Sequence, residues 1–169
     1  SLSVLSPYYG TKMYFDMINK KTGSLLGASA ALPIVYNDGS KEQIYIYEQF
    51  GRNLGMGFQM HDDLLEITAD TETMGKSLGS DIYEGKQTIM VILARESYPD
   101  EWRDLLNLSE NNELIKNIYN FFEEKNIIQE TRSISDAYFK ASLNFLKKLD
   151  GINTEELVQL VHLIEKRTF

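Results

Sequence analysis

The sequence predicts an all-α fold, and three observations carry that prediction. Apolar residues recur at helical spacing along nearly the whole chain. No stretch alternates with the two-residue period of a half-buried strand. Helix-start signals recur, at Ser6-Pro7, at Ser40–Gln43 and at Thr154.

The first helix starts at Ser6-Pro7, with serine as N-cap and proline at the first helical position. Tyr14, Met17, Ile18 and Lys21 then share one face. The run GSLLGASAAL (Gly23–Leu32), rich in small residues, predicts a helix packed closely in a crowded centre, ending at Pro33 and NDGS. SKEQ (Ser40–Gln43) has the pattern of a capping box and opens a helix from Lys41 to about Thr68. The glycine-bearing polar segment ADTETMGKSLGSDIYEGKQ reads as loop with short helical turns, and TIMVILARE resumes as helix. Further helices are expected at about 100–107, 111–125, 131–149 and 154–166.

A chain of 169 residues fits one domain and can bury a real core. Its hydrophobic share of 43% and charged share of 25% are ordinary for a globular protein. Cysteine is absent, which excludes disulfides, thiolate metal sites and cysteine nucleophiles. The net charge of −8 argues against nucleic acid as a partner and is compatible with metal cations. No apolar run approaches the roughly 20 residues needed to span a membrane, so the chain is not expected to be an integral membrane protein. Cytoplasmic localisation is the expectation that goes with these features.

The stretch FQMHDDLLEI (Phe58–Ile67) places three carboxylates inside an otherwise apolar helical run. On a wheel with Asp62 at zero, Gly55 falls near about 20°, Glu66 near about 40°, Gln59 near about 60° and Asp63 near about 100°. The polar groups therefore form a narrow stripe, with Gly51 and Gly55 at its N-terminal end. No lysine stands at the favourable four-residue spacing, so like charges repel unless a cation joins them. Hard divalent cations such as Mg²⁺ favour oxygen ligands and often work with substrate phosphates. A solvated helix face is the competing reading of the motif taken alone.

GKSLGSDIYEGKQT (Gly75–Thr88) follows, with Lys76 and Lys86 each preceded by glycine and Asp81 between them. Glycine allows close approach, and lysine binds phosphate as a point charge. The order does not match a P-loop. Lys21, entering an apolar stretch, is a third candidate for an anion, with snorkelling to solvent as the alternative. Lysines, carboxylates for a metal and apolar helices together describe a diphosphate on an apolar tail.

The ordered series Tyr14, MINKKTG, GMGFQMHDDLLE and GKSLGSDIYEGKQT resembles the trans-type, all-α polyprenyl diphosphate synthases. It is similar to that family's Lys-Thr motif, its second aspartate-rich motif and its GKxxxxDxxxGKxT segment. The resemblance covers about Tyr14 to Thr88. It implies an isoprenoid-synthase-type helical bundle and condensation of isopentenyl diphosphate with an allylic diphosphate to linear polyprenyl diphosphates. By position, Asp62, Asp63 and Glu66 would hold Mg²⁺, Asp62 directly and the others partly through water. Lys21, Lys76 and Lys86 would bind the allylic diphosphate. Thr22 and Gln59 would turn oxygens toward an allylic carbocation, and Phe58 would line the cavity. A homodimer is the common assembly in the family.

Two departures accompany the resemblance. Glu66 stands where the family usually has aspartate, and the chain has no first aspartate-rich motif with its following arginines. Family members run to roughly twice this length as one helical domain. Residues 1–169 are therefore expected to be the C-terminal portion of such a domain without its N-terminal half, inactive alone. The alternative is a non-catalytic regulatory subunit of a heteromeric prenyl synthase. All-α terpene cyclases rank well below a synthase, because their usual Asn/Asp, Ser/Thr, Glu metal motif is absent.

Overall fold

The computed structural model describes residues 10–68, 87–108 and 113–167, and all regular structure among them is helical. The elements are α1 (Thr11–Ile18), a π-helical turn (Asn19–Gly23), α2 (Ser24–Tyr36), α3 (Lys41–Thr68) and α4 (Ile89–Ser97). They continue as α5 (Pro99–Leu108), α6 (Leu114–Glu124), α7 (Ile127–Leu146) and α8 (Glu155–Glu165). The expected start at Ser6-Pro7 lies outside the described residues, as does most of the glycine-bearing segment. Among the described residues no helix is long and apolar enough to cross a membrane.

The expectation of one regular face through Tyr14, Met17, Ile18 and Lys21 is corrected. Tyr14, Ile18, Gly23, Gly27 and Ala31 are buried, while Met17 and Lys21 are exposed. Ser24 N–H bonds to the carbonyl of Asn19, five residues back, and the Ser24 hydroxyl donates to the same oxygen at 2.9 Å. The π turn adds one residue between Ile18 and Gly23 and so carries Lys21 off the buried stripe.

Helix α2 runs through Pro33 to Tyr36 and ends where the expected NDGS segment begins. Asp38 at φ 55° then closes a Schellman motif, with Asp38 N–H on Val35 O and Gly39 N–H on Ile34 O at 2.9 Å. Helix α2 is not surrounded on all sides. Gly27 and Ala31 are buried, while Leu25, Leu32, Val35 and Tyr36 are exposed.

The Ser40–Gln43 capping box forms as expected. Ser40 N–H donates to Gln43 Oε1 at 2.9 Å, and Gln43 N–H to Ser40 Oγ at 3.1 Å. Thr88 caps α4, accepting from Val91 N–H at 3.4 Å. At α8 the expected cap is corrected: Thr154 makes no side-chain cap bond, and Asn153 Oδ1 accepts from Glu155 N–H at 3.0 Å. Helix α7 begins at Ile127, earlier than the expected 131, because Asn126 takes φ 57° and turns the chain directly out of α6.

The chain divides into two compact units. Among the described residues, one holds those up to Tyr14 and those from Asp62 to Arg132. Its core includes every residue of Ile89–Ala94, and Trp102 stacks on Phe122 with ring centroids 5.7 Å apart. Glu96 receives the N–H of Thr11 at 3.1 Å, placing an acid at the N-terminus of α1.

The other unit holds Phe15 to His61 and the residues from Ser133 onward. Ile46, Phe50 and Leu54 of α3 pack with Phe139, Leu146, Leu149 and Val161. Ser135 Oγ donates to the carbonyl of Gly57 at 3.0 Å, and a Cβ on Gly57 would meet the Phe139 ring at 2.9 Å. These contacts anchor α3 just before its carboxylates.

Candidate active site on helix α3

The polar stripe of α3 serves two structural purposes along its length. Its glycine end is a helix crossing. A Cβ on Gly55 would stand 2.9 Å from Thr22 O and 3.0 Å from the Cα of Gly23, and one on Gly51 would overlap Leu26 O. Only hydrogen at these positions lets the two backbones meet. Arg52 then bonds across, Nη1 to Asn19 Oδ1 at 3.3 Å and to Ser24 Oγ at 3.1 Å. It also pairs with Glu48 at 2.9 Å.

That crossing brings Thr22 and Gln59 together, with the Thr22 hydroxyl donating to Gln59 Oε1 at 3.2 Å. The hydroxyl and amide form a half-buried pair of the kind that can offer oxygen dipoles to a developing cation. Lys21, one residue earlier in the π turn, is exposed. Phe58 is half-buried, its ring 5.3 Å from the guanidinium carbon of Arg167. Lys76 and Lys86 lie outside the described residues.

The carboxylates separate by environment. Asp62 and Glu66, one helical turn apart, are half-buried, whereas Asp63 is 3% exposed. Tyr14, itself 1% exposed, donates its hydroxyl to Asp63 Oδ2 at 2.7 Å. Among the described residues, no group of three or more His, Asp or Glu side chains is set to hold a metal ion. The donor set still fits Mg²⁺ in its commoner mode, where one or two carboxylates leave positions for water and substrate phosphate.

Sequence reasoning did not identify Tyr14 as the partner of Asp63. The signal available was a buried-pattern tyrosine, whose hydroxyl needs an acceptor when the ring is enclosed. Nor did it separate Gly51 and Gly55, which serve helix crossing, from the polar groups in the same stripe.

The sequence profile of the family Polyprenyl synthetase matches residues 5–123. Over 151 residues the chain is 30% identical to a short chain isoprenyl diphosphate synthase of Methanothermobacter thermautotrophicus, covering 88% of this chain and 46% of that protein. The solved geranylgeranyl pyrophosphate synthetase of Pyrococcus horikoshii superposes with a TM-score of 0.83 at 27% identity, over 94% of this chain and 50% of that one. A geranylgeranyl pyrophosphate synthase of Corynebacterium glutamicum, solved with calcium and isoprenyl diphosphate, gives a TM-score of 0.78 at 26% identity. It is covered to 50%, and this chain to 93%.

This chain belongs to the polyprenyl synthetase family and has the all-α fold of the isoprenoid synthases. It spans about half the length of the curated relative described above.

Proposed function

We propose that the chain is the C-terminal portion of a Mg²⁺-dependent prenyltransferase, which condenses isopentenyl diphosphate with an allylic diphosphate to linear polyprenyl diphosphates. The observation that carries the reading is the division of labour along α3. The Thr22–Gln59 pair offers neutral oxygens, and further along the same helix Asp62 and Glu66 are half-buried carboxylates.

In this reading Asp62 and Glu66 would hold Mg²⁺, which would supply Lewis-acid stabilisation of a departing diphosphate. Lys21, Lys76 and Lys86 bind the diphosphate of the allylic substrate as point charges. Thr22 and Gln59 orient oxygen dipoles toward positive charge on the allylic carbon. Phe58 offers an apolar wall to the prenyl tail. The relative solved with calcium and isoprenyl diphosphate supports a divalent cation and a prenyl diphosphate as ligands. The same reading carries a homodimeric, cytoplasmic enzyme, with this chain alone inactive.

The test is condensation of labelled allylic diphosphate with isopentenyl diphosphate, with this chain joined to the half of the relatives' length that it does not cover. Turnover should require Mg²⁺ and fall at least about 100-fold on Asp62→Ala or Lys76→Ala. Near-normal turnover in either variant contradicts the site assignment.

A further inference from the structure

Asp63 stands apart from its neighbours in the carboxylate run. A buried ionised carboxylate needs hydrogen-bond donors or a cation to offset its lost hydration. Asp63 is 3% exposed and receives the hydroxyl of Tyr14 at 2.7 Å, from 49 residues earlier in the chain. That length is ordinary for a hydroxyl donating to a carboxylate oxygen. Both residues are enclosed, and both belong to the same compact unit. The bond therefore fastens α1 to α3 at the residue next to Asp62.

A ligand carboxylate working with water and substrate phosphate must face a space that both can enter. Asp62 and Glu66 are within about 40° of each other on the helix and keep partial exposure, whereas Asp63 lies about 100° from Asp62. We infer that Asp63 is an anchor and not a metal ligand, and that Tyr14 is a positioning residue. Together they hold this turn of α3 so that Asp62 and Glu66 face the cation. The assignment rests on the metal-site reading above, which it sharpens.

The pair is tested with Tyr14→Phe, Asp63→Asn, their double variant and Asp62→Asn, all in the 169-residue chain. Urea unfolding without metal gives the first readout. Both single variants should lower the midpoint, and the double should fall no further than the worse single. Additive losses overturn the coupling.

Mn²⁺ affinity in the presence of inorganic pyrophosphate, followed by electron paramagnetic resonance, gives the second. Tyr14→Phe and Asp63→Asn should weaken binding by a similar factor, about 10-fold, and the double variant by no more. Asp62→Asn should weaken it further. A residue that only packs would change stability and leave the Mn²⁺ affinity of the folded chain intact. Unchanged affinity in Tyr14→Phe, or loss in Asp63→Asn equal to that in Asp62→Asn, overturns the inference while leaving the metal site standing. Absence of Mn²⁺ binding by the wild-type chain overturns the metal-site reading itself.

Discussion

A Cβ built on Gly55 would lie 2.9 Å from the carbonyl oxygen of Thr22, so α3 and the π turn meet through backbone. The obstacle is main chain and cannot rotate away. Gly55→Ala should therefore destabilise the chain by about 1–3 kcal/mol, despite the usual helical preference for alanine over glycine. Urea denaturation measures this. Stability equal to wild type would show that the crossing can relax.

The same crossing creates the Thr22–Gln59 bond, which yields a second prediction. Thr22→Val keeps the shape and removes the donor, at a stability cost of about 1 kcal/mol. In the joined, full-length form it should lower kcat more than it raises KM, because oxygen dipoles aimed at a cation act mainly in the transition state. Steady-state kinetics with varied allylic diphosphate separates the two parameters.

Exposure divides two large apolar residues that the sequence treats alike. Met60 is 0% exposed and Leu32 63% exposed. Met60→Ala should cost about 2–5 kcal/mol, and Leu32→Ser should stay within about 0.5 kcal/mol. Paired denaturation curves check the contrast.

Removing the Ser40 hydroxyl tests the start of α3. Ser40→Ala takes the acceptor from Gln43 N–H and should lower stability by about 1 kcal/mol. Adding Gln43→Ala should cost less than the sum of the two single changes, since the two bonds form one box.

The helical class and most helix positions were legible because apolar spacing and cap chemistry are local. The capping box at Ser40 and the long α3 are of this kind. The π turn was not legible, because nothing in NKKTG distinguishes five-residue from four-residue closure. The turn leads into Gly23 and Gly27, which approach α3 closely. Of the two expected end signals for α2, Pro33 sits inside the last turn, and NDGS marks the end, where the chain turns at Asp38.

The candidate site was legible in its residue types and less so in the burial of each. The wheel put Gln59, Asp62, Asp63 and Glu66 in one arc, and all four lie on α3. Asp63 differs from the other three in being buried against Tyr14, 49 residues away, a pairing that no spacing within α3 encodes.

Asp62 and Glu66 are the carboxylates proposed to hold a divalent cation. Mn²⁺ titration of the wild-type chain with inorganic pyrophosphate, compared with Asp62→Ala and Glu66→Gln, tests it most directly. Binding should be strengthened by pyrophosphate in the wild type and weakened at least about 10-fold in Asp62→Ala, with a smaller loss in Glu66→Gln. Equal Mn²⁺ binding in all three proteins would contradict it.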